Sequence, residues 1–302
     1  MRIAVTGSSG FIGRHVTASL TARGDDVVTV RRPFAAETLA GALRGADVVV
    51  HLAGVVSTVR ECEFFEANVD AARAVAEATR AAGARLVHIS SLAAAGPAPS
   101  NAPRSEDDPP SPINAYGRSK LEGERAIAGI DGLRWTMLRP GVVYGPGDRA
   151  LLPLFTFALR GILPLVGRAD AAYTFIHVSD LVRAVTAAVD RPAAGDTLFV
   201  GHPHPVGTRE ILEGVRTAAG ARAAIVRVPM ALTYVAALAG DVAGRLTGTP
   251  TVINSRRYAE LASAGFVCRV DRLRDHLGIV AQIGLKEGLA DACAWYRREG
   301  WL

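Results

Sequence analysis

The chain has 302 residues, 49% hydrophobic and 21% charged, which is enough apolar material for a folded core and excludes a disordered or fibrous chain. Its net charge of +5 comes from scattered arginines with no basic arm, so nucleic-acid binding is not expected, while a mild basic excess suits an anionic cofactor. Cys62, Cys268 and Cys293 lack metal-ligand spacing, no apolar run reaches the ~20 residues of a bilayer span, and the start reads as a strand rather than a signal peptide, so a cytoplasmic protein with reduced thiols and no integral membrane segment is expected.

The first half alternates strand and helix. "RIAVTG" is an apolar run ending in glycine, and a helical pattern follows from Phe11 to Arg23. "DVVTVRR" reads as a strand, 36–44 as a short helix and "ADVVVHLAG" as a third strand. Residues 62–82 read as one long Ala-rich helix, and "ARLVHIS" as the next strand. The loop from Gly96 to Pro112 holds six of the 16 prolines and is a linker or a stiffened lid beside a site. A helix from about Ala115 to Ala128 and the strand "LRWTMLRP" complete this half. Short apolar strands alternating with helices predict an α/β fold: a doubly wound parallel sheet covered on both faces.

Beyond Gly141 the periodicity weakens, although 173–190 and 197–201 still read as sheet-and-helix material. The expected division is a dinucleotide-binding unit of 1–140 plus 173–202 and a smaller, mostly helical substrate-binding unit of 141–172 plus 203–302. Within the latter, the helix near 229–246 reads as core packing, with an apolar pocket or a membrane surface as the other readings.

"TGSSGFIG" (6–13) lies between the first strand and the first helix. Gly7, Gly10 and Gly13 permit a tight turn and close approach of a pyrophosphate to backbone N–H groups at the positive end of the helix, with Ser9, Phe11 and Ile12 completing the turn. At the end of the second strand, where a carboxylate would accept the ribose hydroxyls of NAD, stand Arg31 and Arg32. Two guanidiniums suit a 2′-phosphate, so NADP is expected over NAD, with NAD left open.

Of the 34 Lys+Arg only Lys120 and Lys286 are lysines. Lys120 follows Tyr116 by four residues on a predicted helix, so the two share a face. An ammonium beside a phenol is expected to lower the phenol's pKa, and a compact charge on a flexible stem does this where a planar guanidinium would not. Ser90 and Ser91 end the strand "HIS", at the edge of the sheet where ligands bind.

Taken together, the G-x-x-G-x-x-G turn, Ser91 placed five before Gly96, and Tyr116-x-x-x-Lys120 resemble the extended branch of the short-chain dehydrogenase/reductase superfamily. The match runs in order over most of residues 1–200 and implies a Rossmann-type sheet. It implies that Ser91 hydrogen-bonds a substrate oxygen, Tyr116 exchanges its proton, and Lys120 tunes the tyrosine and holds the nicotinamide ribose. It further places Leu52, Ala53 and Gly54 of "HLAG", Asn68, Pro140 and Val143 at the cofactor. The relatives most alike are hydroxysteroid dehydrogenases and dihydroflavonol reductases, so the implied activity is hydride transfer between a nicotinamide and a hydroxyl/ketone pair on a small, apolar substrate. A sugar-nucleotide epimerase or dehydratase with tightly bound NAD is the alternative, and a non-catalytic dinucleotide sensor a third.

The chain departs from that family in two places. Residues 33–46 read as a helix with no further strand, which leaves the adenine pocket undefined. Tyr173 stands where nucleotide-sugar enzymes often carry an arginine, although Arg168 or an arginine within 254–257 could substitute. The resemblance also implies a homodimer through helices 62–82 and 115–128. His202 and His204 read as a polar loop rather than metal ligands, His51, His88 and His177 as structural, and 106–108 as a solvated loop face, so no metal is expected.

Overall fold

A computed structural model describes residues 1–302. Its first half runs β1 (Arg2–Thr6), α1 (Phe11–Ala22), β2 (Asp26–Val30), α2 (Ala36–Ala42) and β3 (Val48–His51). A helical stretch follows as α3 (Cys62–Phe65), a π turn (Glu66–Asp70) and α4 (Ala71–Ala81). Next come β4 (Arg85–Ile89), α5 (Ala115–Ala128) and β5 (Arg134–Pro140). The second half begins β6 (Val142–Tyr144), α6 (Leu152–Leu159), β7 (Ile162–Leu165), β8 (Ala172–Tyr173) and β9 (Phe175–His177). It continues α7 (Val178–Asp190), β10 (Asp196–Val200), β11 (Val206–Gly207), α8 (Thr208–Ala219) and β12 (Ala224–Arg227). It ends with α9 (Met230–Thr247), α10 (Ser255–Ala262), β13 (Gly265–Phe266), α11 (Asp271–Leu277) and α12 (Leu285–Arg298).

Six strands form one parallel sheet in the order β10-β5-β4-β3-β1-β2. The chain leaves β1 toward β2, then returns across it to β3. That reversal opens a crevice at the carboxyl edge between β1 and β3, the place where such sheets bind ligands. The strands are apolar on both faces because helices cover both. Ile3, Val5, Val48, Val50, Val87, Ile89 and Leu138 face one core with residues of α1, α7 and α11. The alternate residues Ala4, Val49, Leu86 and Met137 face the other, with α2, α4 and α5. No strand stands between β2 and β3, so β2 is the sheet edge, as the helical reading of 33–46 requires.

The stretch 62–82 is not one regular α-helix. A π turn interrupts it at Glu66–Asp70 and carries Asn68. It lies directly against α5, where a Cβ on Gly123 would overlap the Asn68 carbonyl oxygen, so the two helices meet backbone to backbone. Hydrophobic spacing cannot reveal such a turn, because a single extra residue barely disturbs the apolar stripe.

A separate core of 17 buried residues gathers Phe155, Leu163, Val215, Leu289 and Tyr296 from α6, β7, α8 and α12. The stretch after 203 does not stay wholly with it. Leu273, Leu277 and Ala281 pack into the sheet's own core beside α7. The solvated face expected at 106–108 holds for Asp107 and Asp108, which are exposed, but not for Glu106. The Glu106 side chain is 4% exposed and accepts a hydrogen bond from the Phe199 N–H at 2.9 Å, tying the proline-rich loop to β10. Asp107 pairs with Arg272 at 2.5 Å, so the loop is anchored at both positions.

Candidate active site

The turn after β1 is shaped by what its glycines lack. Gly7 has φ +71°, and a Cβ there would lie 2.6 Å from the Ala53 nitrogen, so the turn presses against the loop leaving β3. A Cβ on Gly13 would overlap the Gly7 carbonyl oxygen, so α1 starts directly against the turn. Gly10 caps α1 with no side-chain hydrogen bond, and its first turn carries no acidic residue. The first N–H groups of α1 therefore keep their positive potential. Leu52 and Ala53 border the turn, their N–H groups donating to the Thr6 carbonyl (3.2 Å) and hydroxyl (3.3 Å). Ser9, Phe11 and Ile12 lie in or directly after the turn, with Ile12 packed against the sheet core.

Arg31 and Arg32 follow β2 directly, are exposed, and neither forms an ion pair. The Arg32 guanidinium rests 5.9 Å from the Phe34 ring centre. On the other side of the crevice, Pro140 is buried at the end of β5, and half-buried Val143 packs from β6 against the sheet core. Gly54 is exposed, and a Cβ on it would lie 2.9 Å from Asn68 Oδ1. The Asn68 amide is fully engaged by protein: Oδ1 accepts from Val55 N (2.9 Å), while Nδ2 donates to Val55 O and Ser119 Oγ (both 3.0 Å). It fastens the loop after β3 to α5.

Helix α5 starts where Asn114 accepts a hydrogen bond from Gly117 N at 2.8 Å. Tyr116 stands in its first turn and Lys120 one turn on. Ser91 comes from the end of β4, beside the Tyr116 hydroxyl. The three residues singled out in the sequence therefore converge above the sheet's carboxyl edge. Their electrostatics differ from the expectation. Burial pushes the Tyr116 phenol above its ordinary value, the Ser91 hydroxyl works against that rise, and the Glu260 carboxylate adds to it. Lys120 is 4% exposed, and its ammonium donates to the Ile89 carbonyl at 2.9 Å rather than to the phenol. Burial brings Lys120 down to about 8, partly offset by Glu124. The lowering of Tyr116 by Lys120 is thus corrected: desolvation of the phenol dominates, and the ammonium is aimed at a backbone carbonyl.

Behind Lys120 lies a buried network that the motif reading missed. Arg139 grips Glu124 in a fork, Nε to Oε1 at 2.9 Å and Nη2 to Oε2 at 2.6 Å, and Ser90 donates to the same carboxylate. The Arg139 guanidinium sits 5.8 Å from the Phe199 ring centre. One signal was available: Glu124 follows Lys120 by four residues and so shares its helix face. Beneath, the rings of His51 and His88 stack 5.2 Å apart, with Thr6 Oγ1 2.7 Å from His51 Nδ1. Both histidines are buried, consistent with a structural place for them.

The crevice is roofed by α10 and the loop after β3. Tyr116 packs 5.9 Å from Phe64, the Arg256 guanidinium lies 4.7 Å over Phe64, and Arg256 also donates to the Thr58 carbonyl. Asn114 Nδ2 reaches Glu260 at 2.8 Å. The arginines that could have stood in for the one replaced by Tyr173 are engaged: Arg168 with Asp170 at 2.5 Å, Arg257 with Glu260 at 3.0 Å, and Arg256 as above.

Comparison with known proteins gives the family and the fold. The family model "NAD dependent epimerase/dehydratase family" matches residues 3–201. The chain is 31% identical to a ceramide reductase of Caulobacter vibrioides, over 99% of this chain and 96% of that one. It is 28% identical, over 96% and 95%, to a 4-hydroxy-2-methyl-3-oxo-4-farnesyl-3,4-dihydroquinoline-1-oxide ketoreductase of Stigmatella aurantiaca. Among solved structures it is similar to MoeE5 in complex with UDP-glucuronic acid and NAD, at 28% identity and TM-score 0.79, covering 99% of this chain and 100% of that one.

Proposed function

The chain belongs to the NAD dependent epimerase/dehydratase family, and on that footing we propose that it is an NADP-preferring reductase of a ketone or aldehyde carried on an apolar molecule. The observation that carries this reading is the convergence of Ser91, Tyr116 and Lys120 at the carboxyl edge of the sheet that also carries the glycine turn. A dinucleotide fits the residues present. The turn at Gly7, Gly10 and Gly13 and the uncapped start of α1 suit its pyrophosphate, and unpaired Arg31 and Arg32 suit a 2′-phosphate. Bound there, the nicotinamide supplies the hydride that adds to the carbonyl carbon.

The chain's own residues manage the oxygen. Tyr116, its proton held more firmly by burial, delivers that proton to the oxygen as negative charge develops. Ser91 donates a hydrogen bond to the same oxygen. Lys120 places a cation within the crevice, backed by Glu124 and Arg139. Asn68 acts as a positioning residue, because its amide is already committed to Val55 and Ser119.

Two relatives bear reductase names with a ceramide and a farnesyl group, and they support an apolar substrate here. The second reading, a nucleotide-sugar epimerase or dehydratase with retained NAD, draws on the likeness to MoeE5 and its UDP-sugar complex. Against it stands the engagement of Arg168, Arg256 and Arg257 within the protein, Arg257 by Glu260 itself, which leaves none of the three free to meet a diphosphate.

The test is titration with NADPH and NADH, then turnover on long-chain ketones and on nucleotide sugars. NADPH is expected to bind at least about tenfold tighter than NADH. Tyr116→Phe is expected to lose about 10²–10⁴-fold in turnover while still binding NADPH. Equal affinity for the two cofactors would reject the NADP preference, and full turnover without the phenol would reject the proton donor.

A further inference from the structure

Helix α9 is built with its small residues inward and its large apolar residues outward. Its inward stripe is buried Thr233, Ala237 and Gly244, with half-buried Gly240 between them. A Cβ on Gly240 would overlap the Ile253 carbonyl oxygen, so this side lies tightly against the segment leading to α10. The opposite side carries Leu232, Val235, Ala239, Val242 and Leu246 at alternating steps of three and four, which is one continuous helical stripe, flanked by Leu238. Val235 is 62% exposed and Leu246 83%. A core-packing helix would show the reverse pattern.

The exposed apolar surface continues along the chain. β12 leads into α9 and pairs in parallel with β7, matching Ile162 to Ala224 and Pro164 to Val226. Ile162, Ala224 and Val226 on this ladder are exposed, as are Phe157 and Leu159 at the end of α6. Isolated exposed apolar residues are ordinary, but Leu232, Val235, Ala239, Val242 and Leu246 all exposed on one side of a single helix mark an interaction surface.

Charge indicates what covers it. Arg160, Arg222, Arg227 and Arg245 border these elements, are exposed, and form no ion pair. The sole acid between Gly220 and Ile253 is Asp241, whose carboxylate accepts from Ser255 N at 3.2 Å and so faces α10. A second copy docked on the same face would bring these arginines together with almost no acid to offset them. Negatively charged headgroups would be matched by them. No helix is long and apolar enough to cross a membrane, whereas 18 residues with one apolar face suit a helix lying in the headgroup plane.

We propose that α9, with the adjoining β7–β12 ladder, seats the protein on an anionic lipid surface. The surface lies outside the machinery described above and stands whether or not the proposed reaction is right. Its inner neighbour is α10, which roofs the crevice over Tyr116. Docking therefore brings the bilayer to that roof.

The test is co-sedimentation of the whole chain with vesicles of phosphatidylcholine alone and of phosphatidylcholine with about 30% phosphatidylglycerol. Binding is expected with the anionic vesicles, at least about tenfold above the neutral ones, and weakened by added salt. Leu232→Ser/Val235→Ser/Leu246→Ser is expected to lose that binding, and Arg222→Gln/Arg227→Gln/Arg245→Gln to lose it about a hundredfold. Far-UV circular dichroism and urea unfolding matching the wild type serve as the check that both variants are folded. Failure to bind either vesicle, equal binding to both, or binding that survives the apolar variant would overturn the proposal. So would a wild-type dimer in sedimentation that the apolar variant turns into a monomer, since the face would then belong to a second copy.

Discussion

His51 and His88 are held neutral beneath the crevice, and this gives the protein a pH dependence that can be signed. Burial is the main cause for both, followed by the Lys120 charge, and His51 is brought down to about 3. An unfolded chain protonates histidine near 6.5, so below that pH the unfolded state binds protons the folded state refuses. Stability from these groups is therefore complete above about pH 6.5 and is lost as pH falls. Each histidine costs about 1.4 kcal/mol per unit, or about 2 kcal/mol between pH 6.5 and 5. Urea unfolding at about pH 7.5 and 5 should show this loss, and His51→Leu should remove about half of it. Equal stability of the wild type at the two pH values would contradict the burial argument. At this scale the sequence was legible where a residue type broke the chain's habit, as with a lysine at 120 among arginines. It was silent on Glu106, because nothing in "EDD" says which carboxylate a neighbouring strand will claim.

Helix α5 was readable to its ends, since Asn114 is a helix-starting residue and the apolar spacing runs to Ile127. What the spacing could not supply was the contact with the π turn at Glu66–Asp70, which is made by backbone. Gly123→Ala is expected to destabilise the protein by about 1–3 kcal/mol, because the added methyl overlaps the Asn68 carbonyl and neither backbone can easily retreat. Since α5 also carries Tyr116 and Lys120, turnover should fall with it. Urea unfolding together with turnover of the variant checks both, and unchanged values would mean that the helices can separate freely. The same glycine looks unremarkable in sequence, where it reads only as a weak helix former.

Across the whole molecule the two halves are interleaved rather than strung together. The chain leaves the sheet after β5, returns through α7 and β10, leaves again at β11, and sends α11 back against the sheet. Neither core can open without disturbing the other, so unfolding should be a single event. Tryptophan fluorescence, from Trp135 beside one core and Trp295 and Trp301 beside another, should change together with far-UV circular dichroism. Separated transitions would mean the cores unfold independently. The alternation of apolar strands and helices, the glycine turn and the tyrosine–lysine spacing are local patterns, and the sequence by itself determined the parallel sheet and the residues that meet at its edge. Where charges point depends on distances between segments far apart in the chain. Only the tertiary structure decided that Lys120 faces a carbonyl, that Glu260 comes to the crevice, and that the apolar side of α9 is left outward.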